Sequence, residues 1–376
     1  MQITNVTVYP LSVTVSERLG DARGGGRTRS TAVLKLVTDD GTVGWGEAFV
    51  PGNIASATVE SLFEDRILGM DPFAVESITE RWFTDPYHYG RSVFVQAICS
   101  AIDVACWDII GKTVGSPIYR LLGSGERTTL TPYASTMYFA DSDRPIETPI
   151  EAARAEGFTA VKVKIGAGPD DDRRRVRTTR EIMGDDALIM ADMNGNYRPD
   201  QALASARRLE EFDLAWIEEP VPPENLSGYR ELGASMTTPI AAGEALVGRF
   251  AFKRLIDDRL VDIVQPNLAR CGGLTEARRI ATLATTENVG VTPHVWNSGV
   301  GMAAAIQFAT AVPSYPHTQF EPEPALFEFD RSPNPLRSEI LSTPFDPSGG
   351  TLSVPQDPGL GIDVDESALE LFSTVD

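Results

Sequence analysis

Apolar and polar residues change rhythm twice along this chain of 376 residues. The opening stretch alternates with the period of a strand in "ITNVTVYPLSV" and again in "TAVLKLVTDDGTVGWGEA", around the short-turn pair Asp40-Gly41, which predicts an antiparallel ribbon. "QAICSAIDVACWDIIGKTVGSPIYRLLG" then repeats its apolar residues at helical spacing and is ended by glycines and a proline. Residues 1–125 are thus expected to form an α+β domain. Beyond them a new cycle sets in of short apolar strand, polar loop and Ala/Arg/Glu/Leu-rich helix. Its strands are "LTPYAST", "AVKVKIG", "ALIMADMN", "AWIEEP", "PIAAGE", "VDIVQPN" and "GVTPHVW". Strands alternating with helices predict a parallel α/β fold, and the absence of a Gly-rich dinucleotide fingerprint favours a barrel over an open sheet. An eighth strand is expected within "TQFEPEPALFEFD", closing a barrel over residues 126–343. From residue 344 to 376, turns and short strands such as "GGTLSVPQDPGLGIDV" return and are expected to pack back on the first domain.

Composition narrows the class. No apolar run approaches twenty residues, and "MQITNVTVYPLSV" lacks the basic-then-apolar layout of a secretion signal, so the expectation is a soluble, cytoplasmic protein. Cys99, Cys106 and Cys271 are too scattered for a disulfide framework or a metal pair and read as small buried hydrophobes. A net charge of −20 argues against nucleic acid or a membrane surface as partner, since binding phosphates relies on cationic side chains. Five lysines stand against twenty-eight arginines, and stretches such as "GPDDDRRRVR" are rich in aspartate. That composition suits a halophilic protein kept soluble in high salt; loss of solubility or activity only above molar salt would contradict it.

The scarce lysines make one strand conspicuous, because Lys162 and Lys164 stand two apart in "AVKVKIGAG". The chemistry of such barrels is carried where strands end. There the chain places Lys162 and Lys164, Asp192 and Asn194, Glu218, Glu244, Asn267 and His294. Asp192 precedes Glu218 by 26 residues and Glu218 precedes Glu244 by 26, one strand–helix unit each, so the three acids should sit side by side. Any one acid in so acidic a chain could be a solvated loop residue; the joint spacing argues otherwise. Neighbouring carboxylates raise one another's pKa unless a cation intervenes, and an all-oxygen donor set suits Mg²⁺ first and Mn²⁺ second.

Residues two apart on a strand share a face, with side chains about 7 Å apart. Val161 and Val163 would then face the helices and both ammonium groups the barrel mouth. A lysine beside a second lysine and a divalent cation can lose its proton near working pH and serve as a base, which arginine cannot. His294 lies across the barrel from Lys164 by strand count, so two bases would flank a metal-bound substrate. The Gly-rich "GDARGGGRTRS" at 20–30 reads as a lid over an anionic substrate, with Arg23 a candidate contact alongside Asn194 and Asn267.

These residues resemble the mandelate racemase and muconate-lactonizing branch of the enolase superfamily. "VKVKIG" resembles its KxK strand, "ADMN" its DxN, "WIEEP" its EEP, "AGE" its third metal acid and "PHVWNSGVG" its histidine strand. "AIDVACWDIIGKTVGSPIYRLLG" resembles the capping-domain signature, and "FEFDRSPNPLR" with "DPGLGIDVD" the C-terminal segment, so the likeness covers nearly the whole chain. It implies a modified TIM barrel of (β/α)7β form, with an α+β capping domain formed by the N-terminal part and the C-terminal tail. It implies that Asp192, Glu218 and Glu244 bind Mg²⁺, that Lys164 is the base on one face, and that Lys162 aids the substrate carboxylate and lowers its neighbour's pKa. His294 would be the acid or base on the other face, and Glu328 in "FEFD" would hydrogen-bond the carboxylate. Homo-oligomers, dimers or octamers, are common in the family.

One position departs from the pattern. Members with a catalytic histidine usually end the preceding strand in "QPD"; here it reads "QPN", with Asn267, which can orient the ring but cannot stabilise its imidazolium by charge. His294 should therefore be a weaker base, better fitted to assist a leaving group. The common step is abstraction of a proton α to a carboxylate, giving an enediolate. The leading expectation is dehydration of an acid sugar (an aldonate or aldarate) to a 2-keto-3-deoxy acid. Sugar-lactone cycloisomerisation of the galactarolactone kind is the near alternative, then racemisation or epimerisation. A non-catalytic carboxylate binder is the alternative of another class, and it would have no need of both Lys164 and His294.

Overall fold

The computed structural model describes residues 1–84, 87–124, 127–140, 145–313 and 325–374. Gly125 and Glu126, where the expected domain boundary falls, lie outside the described residues, as do residues 318–324 of the eighth-strand stretch.

The alternating N-terminal segments form the antiparallel strands β1 (Ile3–Asp21), β2 (Gly24–Thr38) and β3 (Val43–Ala48). One face of this sheet packs on a helix, Val93–Val114, held by a Ser92 N-cap and ended by left-handed Gly115. The approach is close because "VGWGEA" places glycine at every second position facing the helix. A Cβ on Gly46 would lie 1.9 Å from the Ala101 carbonyl oxygen, and one on Gly44 2.1 Å from that of Ala105. By length and composition this 22-residue helix could span a membrane, contrary to the expectation of no such run; it is instead the cap's core, 83% buried over its most apolar stretch.

The barrel follows: β4 (Thr129–Thr136), then a two-residue β5 (Phe139–Ala140) that returns to the cap and pairs with β1. After these come β6 (Ala160–Lys164), β7 (Leu188–Asp192), β8 (Trp216–Glu218), β9 (Ile240–Ala242), β10 (Ile263–Val264), β11 (Gly290–Val291) and β12 (Leu326–Asp330). All but β5 run parallel in the order β11-β10-β9-β8-β7-β6-β4-β12, with a helix between each consecutive pair, which is the expected (β/α)7β arrangement. In the tail, β13 (Leu352–Ser353) pairs antiparallel with β4, while the helix Glu366–Phe372 packs on β1 and Glu366 meets Lys35 at 2.6 Å.

The strands bearing the candidate residues are short. From β9 onward they end before those residues, so Glu244, Asn267 and His294 stand on the loops just beyond. Alternation sorts the faces of β6: Val161 and Val163 join the apolar layer under the helices, while Lys162 and Lys164 are buried on the inner side.

Candidate active site

Strand pairing sets Lys164 beside Asp192 and Asp192 beside Glu218, so charged side chains of three adjacent strands end in one layer. Lys164 Nζ is 2.6 Å from Asp192 Oδ2. Lys162 Nζ reaches Glu218 Oε1 at 2.7 Å, Glu328 Oε1 at 2.8 Å and Asp192 Oδ2 at 4.0 Å. Each of Asp192, Glu218 and Glu244 offers one oxygen within 4.8 Å of the others. Glu328, the middle residue of β12, also accepts the Val295 N–H at 2.8 Å and so ties the eighth strand to the loop carrying His294. Glu321 and Glu323 of the Glu-Pro repeat lie outside the described residues.

Each ammonium of the lysine pair is held by carboxylates of other strands. Burial opposes the Lys162 ammonium, but Glu218 and Glu328 hold its pKa well above the lysine value; Asp192 does the same for Lys164. The acids show the complementary frustration. Burial, then Asp192, pushes Glu218 up to about 7, and burial, then Glu244, raises Glu219 well above the carboxylate range. Among the described residues, Asn194 Oδ1, Glu219 Oε1 and Glu244 Oε2 are buried with no hydrogen-bond donor. A pocket of orphaned acceptor oxygens with no soft ligand fits a hard divalent cation.

His294 Nε2 lies 3.0 Å from Glu244 Oε2, off the hydrogen-bond direction. Burial works against its imidazolium, but Glu244 and Glu328 outweigh it and raise its pKa. Behind the ring, Asn267 Nδ2 is 2.8 Å from His294 Nδ1. The amide cannot turn over freely, because its Oδ1 accepts the Ala269 N–H at 3.0 Å. Asn267 therefore presents N–H to Nδ1, which must accept, and the ring's proton sits on Nε2. Asn267 orients the ring, as expected, and does not touch the metal-site acids.

The lid is pinned more than the word implies. Its tip pairs with β5 through Leu19↔Ala140 and Gly20↔Phe139, and a Cβ on Gly166 would come within 3.0 Å of Ala22 Cβ. Arg23 is exposed and bound to Asp21 at 2.8 Å, with the charges of Glu244 and Glu219 also acting on it. Of the three lid arginines it is Arg29 that is buried, with its guanidinium 4.0 Å over the Trp296 ring.

Asn194 and Glu219 both adopt left-handed backbone, φ 45° and 38°, directly beyond β7 and β8. Such strain in non-glycine residues gathers at functional sites. Glu219 is not among the residues expected from the sequence, although the doubled acid before Pro220 is its signal. Also unforeseen is Gln265, whose Nε2 donates to Glu218 Oε2 at 2.6 Å. The "GPDDDRRRVR" stretch is only partly a solvated surface. Asp172 is buried and accepts from the Gly166 N–H, the Tyr197 hydroxyl and the Ser205 hydroxyl, while Arg175 Nη1 donates to the Lys164 carbonyl at 3.3 Å. That run braces the lysine strand.

Residues 4–123 match the family model described as the N-terminal domain of mandelate racemase and muconate lactonizing enzyme, and residues 147–368 the model described as enolase C-terminal domain-like. The chain is 38% identical over 93% of its length to 92% of a D-galactarolactone cycloisomerase of Agrobacterium fabrum. It is 30% identical over 90% of its length to 89% of an arabinonate dehydratase of Saccharolobus solfataricus. Among solved structures, the 3,6-anhydro-D-galactonate cycloisomerase of Zobellia galactanivorans superposes with TM-score 0.89 at 34% identity, over 100% of both chains. A racemase of Streptomyces coelicolor A3(2) with bound magnesium superposes with TM-score 0.88 at 25% identity, over 99% of this chain and 100% of that one.

Proposed function

The chain belongs to the mandelate racemase and muconate lactonizing branch of the enolase superfamily, an enzyme family, and from that premise we propose that it opens an acid-sugar lactone by β-elimination. The observation that carries this reading is the placement of Lys164 Nζ and His294 Nε2 on two sides of one acid triad, 2.6 Å from Asp192 and 3.0 Å from Glu244.

Asp192, Glu218 and Glu244 would hold Mg²⁺, with Mn²⁺ as a substitute, and the ion would supply fixed positive charge against the substrate carboxylate. Asp192 has two possible partners; engaged as a ligand, it no longer holds the Lys164 proton. Lys164 then removes the α-proton, and Lys162, buried between Glu218 and Glu328, keeps a positive charge beside the growing enediolate. The electron pair of the broken C–H bond expels the β-oxygen. In a lactone that oxygen belongs to the ring carboxylate, which leaves as an anion and needs no proton. The enol that remains tautomerises to a 2-keto-3-deoxy diacid, an isomer of the lactone.

The leaving group separates this reading from dehydration. Loss of hydroxide needs a proton, whereas a departing ring carboxylate needs none; the Asn267 amide leaves His294 Nδ1 without a charged partner, so the imidazolium is stabilised by Glu244 and Glu328 instead. Dehydration remains the second reading, favoured by the Nε2–H that this tautomer turns into the site. We also propose a homo-oligomer, to be checked by sedimentation. The direct test follows the α-proton by NMR in D₂O with Mg²⁺ and a panel of acid sugars and lactones. A lactone is expected to give a keto acid that retains every heavy atom. Absence of exchange with every ligand that binds would sink the proposal.

A further inference from the structure

Arg29 is a buried cation that the mechanism above does not use. It is 8% exposed, and its guanidinium stacks on Trp296, donates through Nη2 to Ser332 Oγ at 2.7 Å and through Nε to the Pro333 carbonyl at 3.4 Å. Among the described residues no carboxylate lies within 4.0 Å of it. Asp330, whose charge acts on it, is taken by Arg337 at 2.8 Å, the Tyr138 hydroxyl at 2.7 Å and Ser332 Oγ at 2.6 Å. A buried guanidinium without an anion is costly, which points to a partner that arrives from outside.

A cavity of about 180 Å³ adjoins it, walled by Arg29, Ser30, Glu47, Phe49, Trp296 and Asn334 among others. Two of these residues carry a buried polar atom without a partner among the described residues, Trp296 Nε1 and Asn334 Oδ1. Glu47 does not answer Arg29. Its oxygens accept from the Thr31 hydroxyl, the Ser298 N–H and hydroxyl, and the Gly301 N–H at 2.6–3.1 Å. The wall thus offers a cation that no carboxylate of the described residues pairs with, together with an N–H and an amide oxygen that have no partner among them.

Its place in the barrel gives these groups meaning. Counting around the sheet, β12 stands opposite β8, the strand of Glu218. Ser332 lies just past the end of β12. Trp296, under the Arg29 guanidinium, follows His294 by two residues, and the Tyr138 ring, whose hydroxyl bonds Asp330, lies 5.6 Å from Lys164 Nζ. A substrate with its carboxylate at the triad and its α-carbon between Lys164 and His294 would reach this cavity by extending past Trp296. We infer that Arg29, with Trp296 Nε1, receives the far carboxylate of a six-carbon diacid, free or as it is released from a lactone, while Asn334 accepts from a substrate hydroxyl. The chain then selects diacids over the corresponding monoacids. This rests on the functional reading above.

The test compares a hexarate with the hexonate that differs only in bearing CH₂OH at the far end. Both are titrated calorimetrically into Mg²⁺-loaded protein in a Lys164→Met background, so that neither is consumed. Arg29→Met is expected to weaken hexarate binding about 10- to 100-fold, the worth of one charge-assisted contact, and hexonate binding less than about threefold. Trp296→Phe, which keeps the stacking face and removes the N–H, should weaken hexarate alone by about 3- to 10-fold and serves if Arg29→Met does not fold. Equal losses for both ligands, or none for either, would overturn the inference. Continued α-proton exchange by Lys164→Met on its own would instead refute the functional reading and leave the diacid preference to be judged on the binding data.

Discussion

Replacing Asn267 by aspartate isolates what the amide does to His294. In the wild-type protein Asn267 Nδ2 faces His294 Nδ1 at 2.8 Å and cannot turn away, because Ala269 N–H holds the oxygen side at 3.0 Å. Asn267→Asp leaves the Ala269 bond intact and puts a carboxylate oxygen where the N–H was. The ring must then carry a proton on Nδ1 and expose a basic lone pair at Nε2. Asn297 Oδ1, 3.1 Å from the amide nitrogen, would face the new carboxylate, but Asn297 can turn over at small loss, since its own Nδ2 contacts are both 3.5 Å long. A charge-assisted hydrogen bond is worth about 1.5–3 kcal/mol, which corresponds to an upward shift of about one to two units in the histidine pKa. Nitrogen-15 NMR of imidazole-labelled protein, with His294→Asn for assignment among only three histidines, should show Nε2–H in the wild type and Nδ1–H in the variant. The variant should also begin to wash deuterium into the substrate with inversion at the α-carbon, while lactone opening changes less. Identical nitrogen spectra for the two proteins would refute the claim that the amide sets the tautomer.

Mg²⁺ should raise the melting temperature by ligand linkage, and Glu244→Gln should abolish that rise, because it replaces one of three converging carboxylates by an amide. Asp103, buried between the cap and the barrel, has its carboxyl pushed up to about 7 by burial, despite the hydrogen bonds from Thr275 and Thr79. The unfolded chain then loses this proton before the folded one, so stability should fall by a few kcal/mol as pH rises from about 4 to about 7. Asp103→Asn should flatten urea midpoints across that window. Gly46→Ala forces a methyl against the Ala101 carbonyl and should cost about 3 kcal/mol or more, read as a lowered urea midpoint.

The triad was legible because its three acids recur at the period of one strand–helix unit, and the lysine pair because a strand puts alternate residues on one face. Lys162, Lys164, Asp192 and Glu218 stand on regular strands, where such counting is safe. Glu219 and Asn194 depend on left-handed backbone, which no periodicity reports. Arg29 was one of three arginines in a glycine-rich loop; only the register of β1 on β2, with Val13 opposite Arg29, decides which one turns inward. The tautomer of His294 is fixed by a backbone N–H two residues from Asn267, a contact with no signature in residue type. Lysine basicity is illegible for a different reason. Spacing placed the two ammonium groups correctly, but the sign of the shift depends on carboxylates from three other strands.

The two-residue pairing of β5 with β1 has a consequence for access to the barrel mouth. The rest of β1 stays zipped to β2 from Ile3 to Thr14, and the register slips between Thr14 and Leu19. The covering tip thus hangs from a built-in irregularity and, among the described residues, is fastened to β5 by two residue pairs. Uncovering the site costs the melting of a strand end, while the interface that buries Val93–Val114 stays closed. Substrate entry is then a zipper's last teeth parting, and its rate should follow substitutions at Phe139 and Ala140 more closely than anything in the cap's core.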